Sequence, residues 1–150
     1  VKKDIRYVPS PPAVVEAMLS LAEVGPQDVV FDLGCGDGRL VIAAAQRGAR
    51  GVGIDIDPGL VARCQENARQ AEQLERTEFR VGNLFETDLS KATVVMIYLL
   101  HSVNRRLLPN LRKELAPGTR LVSHSFDMGD EWSADRRITV EDKWLFLWTT

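Results

Sequence analysis

Residues 29–57, VVFDLGCGDGRLVIAAAQRGARGVGIDID, constrain this chain more than any other stretch. An apolar run ends in Asp32, passes through Gly34, Gly36 and Gly38, and opens into an amphipathic segment; a second apolar run then ends in Asp55. That order reads as strand, tight glycine turn, helix and strand, one βαβ unit of a largely parallel sheet. Glycines let the backbone bend sharply and approach a ligand with no Cβ in the way. Asp55 falls at the tip of the second strand, where a carboxylate can accept both hydroxyl protons of a ribose. The unit therefore predicts a nucleotide-type site.

The spacing narrows the ligand. A dinucleotide fingerprint, G-x-G-x-x-G, would need glycine at position 39 after Gly34 and Gly36, and Arg39 stands there. The pattern is D-x-G-x-G-x-G, with an acidic residue two positions before the first glycine. Asp-Leu-Gly-Cys-Gly-Asp-Gly followed by Gly-Ile-Asp resembles the first motif pair of class I S-adenosylmethionine-dependent methyltransferases. The chemistry agrees with that resemblance: a methionyl ammonium needs a carboxylate such as Asp32 nearby, whereas a pyrophosphate would be repelled by Asp32 and Asp37. A turn whose glycines serve packing alone would leave both strand-end aspartates unexplained.

Along the chain, Ser10 and Pro11 read as a cap and first position of a helix. Its stripe of Val14, Val15, Met18, Leu21 and Ala22 faces a core, and Gly25-Pro26 ends it. A helix placed before the first strand sets Tyr7 and Pro9 over the glycine loop. Strands are expected at 29–33, 51–56, 77–81, 93–98 and 120–125, with Phe79 and Val81 both facing inward. Helices are expected at 39–47, with Leu40, Val41, Ala43 and Ala44 on the sheet, and from 58 to 73, with Leu60, Cys64, Ala68 and Ala71 as its stripe. Asp57-Pro58 repeats the cap-then-proline start. Pro109 is expected to break the segment from 99 to 115 into a turn and a helix from about Leu108. Residues 137–140 and 144–148 read as a closing antiparallel hairpin, with Trp132 and Glu131 either a lid or, for Trp132, only a cover over the hairpin.

Alternating strands and helices imply an α/β sheet covered on both faces. Ligands on such sheets sit beyond the carboxyl ends of strands where the order reverses. That rule selects Asp32, Gly34, Cys35, Gly36 and Gly38, then Asp55-Ile56, Asn83-Leu84 and Tyr98. Asn83 either hydrogen-bonds the adenine amino group, with Ile56 and Leu84 sandwiching the ring, or is a turn residue in a left-handed conformation; the sequence leaves both open. His101 and His124 fall near strand ends and are candidates for a base, but a histidine there more often serves as a structural hydrogen-bonder.

The resemblance narrows further over nearly the whole chain. Tyr-Val-Pro-Ser-Pro before the first helix, Asp-Leu-Gly-Cys-Gly-Asp-Gly-Arg, Gly-Asn-Leu-Phe, Tyr-Leu-Leu and Pro-Gly-Thr-Arg-Leu-Val-Ser-His are similar to the small protein lysine methyltransferases of archaeal type and their mitochondrial relatives. The resemblance implies a Rossmann-like seven-stranded sheet of order 3-2-1-4-5-7-6, S-adenosyl-L-methionine as cofactor, and a lysine amine on a protein substrate as acceptor. It implies that Tyr7 and Pro9 border the cofactor and that residues 98 to 104, with Tyr98 and His101 as catalytic candidates, help form the acceptor channel. Tyr98-Leu99-Leu100-His101 stands where many amide- and base-methylating enzymes carry Asn/Asp-Pro-Pro-Tyr, which disfavours adenine or glutamine as acceptor.

Composition bounds the rest. At 150 residues a single domain over 1–150 is expected. A net charge of −2 gives no sign of a general polyanion binder, so no general nucleic-acid binding is expected, and Arg105, Arg106, Arg112 and Lys113 read as a solvated helix face. Cys35 and Cys64 lack metal spacing and do not form a disulfide framework. No apolar run approaches membrane-spanning length. The chain opens on Val1, so its start says little about targeting, and a cytoplasmic location is the expectation. A methyltransferase of small molecules or RNA, and a catalytically silent cofactor-binding module, are the competing readings.

Overall fold

The computed structural model describes residues 10–98, 101–125, 127–128 and 132–150. Helix α1 (Pro12–Leu21) precedes strand β1 (Val29–Leu33), and helix α2 (Arg39–Gln46) leads to β2 (Arg50–Asp55). Helix α3 (Pro58–Gln70) leads to β3 (Thr77–Val81), and β4 (Val94–Ile97) follows a short 3-10 turn at Leu84–Glu86. Helix α4 (His101–Glu114) precedes β5 (Arg120–His124), and β6 (Arg136–Val140) with β7 (Lys143–Thr149) completes the chain. The strands make one sheet of order β3-β2-β1-β4-β5-β7-β6. The first five run parallel, and β7 is antiparallel to β5 and β6. This is the Rossmann-like order that the resemblance implied.

Alternation along the strands feeds two cores. Phe31, Val52, Ile54, Val95, Ile97 and Leu121 pack against Leu107 and Leu111 of α4. On the other face, Val30, Val94, Met96 and Val122 pack against Val14, Val15 and Met18 of α1 and Leu40 and Ala44 of α2. The sheet order reverses between β1 and β4, so a crevice opens at their carboxyl ends. Strand β2 has glycine where a side chain would obstruct the layer above it. A Cβ on Gly53 would lie 2.8 Å from both the Cβ and Sγ of Cys35, and one on Gly51 would lie 2.6 Å from Cγ1 of Val41. These two positions let the glycine loop and α2 lie directly on the sheet.

Several local expectations are corrected. Ser10 does not cap α1: Pro11 is the N-cap residue, Pro12 takes the first helical position, and the Pro11 carbonyl accepts the N–H groups of Val14 and Val15, both at 3.0 Å. Val81 is 54% exposed, because β3 is an edge strand and its last residue extends past the cover of α3. In α2 it is Ala45, beside Leu40, Val41 and Ala44, that is buried, while Ala43 is half-buried. In α3 Val61 replaces Leu60 in the buried stripe, and the helix ends at Gln70 rather than near 73.

The largest departure is α4, one helix that runs through Pro109. A proline in a helix interior costs about 3 kcal/mol. Here Pro109 is exposed, where the lost intrahelical donor is least costly, while Leu107 and Leu111 on the opposite side are 1% and 0% exposed. Burying two such side chains contributes about 1.5–3 kcal/mol each, which outweighs the proline. The terminal hairpin forms where expected. Its turn residues Glu141 and Asp142 both have positive φ, 49° and 65°, matching the twist of a two-residue hairpin turn without a glycine.

Candidate functional site

The glycine loop is fastened to the tip of β2 by its backbone. The N–H groups of Gly34 and Cys35 both donate to the Ile54 carbonyl, at 2.8 and 3.0 Å, and the Gly36 N–H donates to Oδ2 of Asp55 at 3.0 Å. The other Asp55 oxygen accepts the Asp57 N–H at 3.0 Å. Asp55 is thus held in one orientation by two backbone donors, and each oxygen keeps a lone pair for an incoming hydroxyl. Gly38 closes the loop at φ 84°, and a Cβ there would lie 3.0 Å from the Phe79 ring and 3.1 Å from the Cys64 sulfur. No other residue type fits both that backbone and that space.

Three carboxylates converge on this loop. Asp32, at the end of β1, is 8% exposed, and no hydrogen-bond donor among the described residues reaches its carboxylate. Burial, reinforced by the charges of Asp55 and Asp37, pushes its pKa up to about 8. Asp37 is partly neutralised by Arg39, whose Nη2 pairs with Oδ2 at 2.7 Å. A buried carboxylate without donors, beside two more acids, is matched by a cationic ligand. The methionyl ammonium and sulfonium of S-adenosylmethionine meet that requirement, and a pyrophosphate does not. The residues present therefore fit the cofactor: Asp32 for the amine end, the backbone of the glycine loop along its length, and Asp55 for the ribose.

The Cys35 side chain turns away from the crevice. It is buried with Val41, Val61, Cys64, Ala68 and Phe79, with its sulfur 3.8 Å from that of Cys64, whose thiol donates to the Gly36 carbonyl at 3.0 Å. The hydrogen bond with the Cys64 thiol and burial together hold Cys35 protonated. Both cysteines are free.

At the far end of the crevice, Ile56, just past the end of β2, is 71% exposed, and Val81, which pairs with Asp55 at the end of β3, is also exposed. Exposed apolar side chains at these strand ends can receive a flat ring. Asn83 has φ −90°, so the left-handed alternative falls. Its Oδ1 caps the following 3-10 turn by accepting the Phe85 N–H at 2.9 Å, while Leu84 packs partly into the core.

Tyr98 lies just past β4, at the carboxyl edge of the sheet. Its ring stacks on that of His124 at the end of β5, with centroids 3.8 Å apart and planes at 24°. His124 is 1% exposed, and its Nδ1 shares a hydrogen bond of 2.9 Å with the Ser10 hydroxyl. That link joins residues 114 positions apart and had no signal in the sequence. Trp132 is the hairpin cover rather than a lid: its carbonyl accepts the Trp148 indole N–H at 2.8 Å, and Arg112 lies 5.2 Å over its ring. Tyr7, Pro9, Leu99, Leu100 and Glu131, and the side chain of His101, lie outside the described residues. Among the described residues no cluster of metal-ligating side chains occurs, and no helix is long and apolar enough to cross a membrane.

Known proteins share this arrangement. Residues 32–136 match the family model described as the ANTKMT methyltransferase domain. A relative from Saccharolobus islandicus named protein-lysine N-methyltransferase is 44% identical over 140 residues, which span 92% of this chain and 86% of the relative. An adenine nucleotide translocase lysine N-methyltransferase of Mus musculus is 34% identical over 83% of this chain, and the match spans only 54% of that longer protein. A crystal structure described as an RNA methyltransferase from Salinibacter ruber, in complex with S-adenosyl-L-homocysteine, superposes with a TM-score of 0.92 at 54% identity, covering 95% of this chain and 93% of that one.

Proposed function

This chain belongs to the ANTKMT methyltransferase domain family and is an S-adenosylmethionine-dependent methyltransferase, and we propose that the amine it methylates is a lysine side chain presented by a protein. The observation that carries the acceptor is the 44% identity with a protein-lysine N-methyltransferase over 92% of the chain. The motif Tyr98-Leu99-Leu100 supports it, because an aromatic and apolar sequence suits an aliphatic amine better than a planar amide or base.

When bound, the cofactor supplies a methyl carbon already activated by the sulfonium. The chain's own task is to align the partners and exclude water. Asp32 and the glycine loop hold the amino-acid end, Asp55 orients the ribose, and Ile56 and Val81 receive the adenine. On the acceptor side, a lysine must lose its proton before it can attack, against an ordinary pKa of about 10.4. An apolar channel beside a positive charge lowers that pKa, so the amine can give its proton to water without a dedicated side-chain base.

RNA is the second reading, favoured by the description of the Salinibacter ruber structure. A cell extract incubated with enzyme and methyl-labelled cofactor, then separated into protein, RNA and metabolite fractions, distinguishes the two. Label in protein, placed on lysine by mass spectrometry, supports the proposal. Label in RNA alone overturns it.

A further inference from the structure

We propose that His124 is a positioning residue for methyl transfer: it holds the Tyr98 ring at the acceptor edge of the crevice and takes its own orientation from Ser10. The role rests on placing Tyr98 in the acceptor wall, but not on the acceptor being lysine.

The geometry begins with the sheet. Strands β4 and β5 are parallel with Ile97 opposite Ser123, so the next residues, Tyr98 and His124, come side by side at the carboxyl edge. Their rings stack at 3.8 Å. Stacking alone leaves the imidazole free to flip by a half-turn about its bond to the Cβ, and the 2.9 Å bond from Nδ1 to Ser10 removes that freedom. Ser10 is itself held: its carbonyl accepts Nη1 of Arg39 at 3.0 Å, and Arg39 pairs with Asp37 of the glycine loop. A continuous set of contacts therefore runs from Asp37 through Arg39, Ser10 and His124 to Tyr98, joining the cofactor loop to the acceptor wall.

Packing does not account for a histidine at this position. Its Nε2 is buried and has no hydrogen-bond partner among the described residues. Phenylalanine or leucine would fill the volume without burying an unpaired nitrogen. Base catalysis does not account for it either. Burial, with the Lys143 charge nearby, lowers the His124 pKa to about 4. Such a ring stays neutral at working pH and is too weak a base to deprotonate an ammonium. What remains is directional: a neutral ring with one tethered nitrogen, set against the aromatic residue beside the acceptor.

The test uses Ser10→Ala, Ser10→Thr, His124→Phe and Tyr98→Ala, each checked for folding by circular dichroism and for cofactor affinity by calorimetry. Activity is the initial rate of labelled-methyl transfer into a fixed cell extract at saturating cofactor, which reads turnover whatever class of acceptor takes the label. Expected are cofactor affinities within about twofold of the parent, with rates at least tenfold lower in His124→Phe and Ser10→Ala. Ser10→Thr, which keeps the hydroxyl, should restore the rate. The chain holds two tyrosines, so ring resonances of tyrosine-labelled protein report Tyr98 directly. They should shift or broaden in Ser10→Ala and return in Ser10→Thr. If Tyr98→Ala is impaired while His124→Phe and Ser10→Ala keep their rates and the Tyr98 resonances do not move, the positioning role is overturned and the acceptor wall stands. A fully active Tyr98→Ala would overturn both.

Discussion

The carboxylate of Asp55 accepts the backbone N–H of Gly36 at 3.0 Å, which makes the tip of β2 and the middle of the glycine loop one mechanical unit. On the proposed function Asp55 acts twice, once on the ribose and once on the loop that lines the rest of the ligand. Asp55→Ala should weaken S-adenosylmethionine by at least the roughly 1.5–3 kcal/mol of a charge-assisted hydrogen bond, about tenfold or more. Asp55→Asn, which keeps an acceptor for the Gly36 amide, should lose less. Calorimetric titration of both variants checks this, and equal binding by Asp55→Ala would remove Asp55 from the site.

Gly36 has φ 58°, a backbone conformation in which a β-branched side chain is a severe outlier. The Gly36→Val variant should fail to bind cofactor, because the loop must leave this conformation or place a side chain over the ligand. The sheet is built mainly elsewhere, so circular dichroism should still report a folded protein. Undiminished binding would mean that the loop backbone does not approach the ligand.

The raised pKa of Asp32, about 8 against an ordinary 3.8, has two consequences of opposite sign. In the cofactor-free protein the folded state holds the proton more tightly than the unfolded chain. That contribution to stability is complete below about pH 4 and is lost as pH rises toward 8, by up to roughly 1.4 kcal/mol per unit. Melting temperature should fall across this window, and Asp32→Asn should flatten the slope. A cationic ligand favours the ionised form, so binding near pH 6.5 should release a proton. Titrations in buffers of different ionisation enthalpy measure that release directly, and an enthalpy independent of buffer would contradict the assignment of Asp32 to the ligand's cationic end.

Much of this site was legible because its residues are close in sequence and their chemistry is local. The turn from Asp32 to Gly38 and the strand end at Asp55 belong to one βαβ unit, and spacing alone suffices to identify it. Gly51 and Gly53 were read as strand residues, yet they are needed because Val41 and Cys35 lie on them, a constraint visible only once the layers are stacked. Ser10 looked like a helix cap because serine before proline usually is one, but its hydroxyl is engaged by a histidine on a distant strand. The break expected at Pro109 failed for a related reason: propensity is local, and the buried stripe of Leu107 and Leu111 that overrides it depends on the whole sheet beneath α4.

The acceptor makes a sharp kinetic demand. His124 is neutral, tethered to Ser10 and held near pKa 4 by burial, so it offers no base that becomes active around pH 7. If the attacking group is a lysine amine that gives its proton to water, the reactive fraction grows with pH until the amine itself is neutral. The rate at saturating cofactor should then climb by close to tenfold per pH unit through neutrality and level off only in the alkaline range. His124→Phe should lower the whole profile without moving its inflection. A profile that levels off between pH 6 and 7, or an inflection there that His124→Phe abolishes, would show that a side chain takes the proton and that the solvent route is wrong.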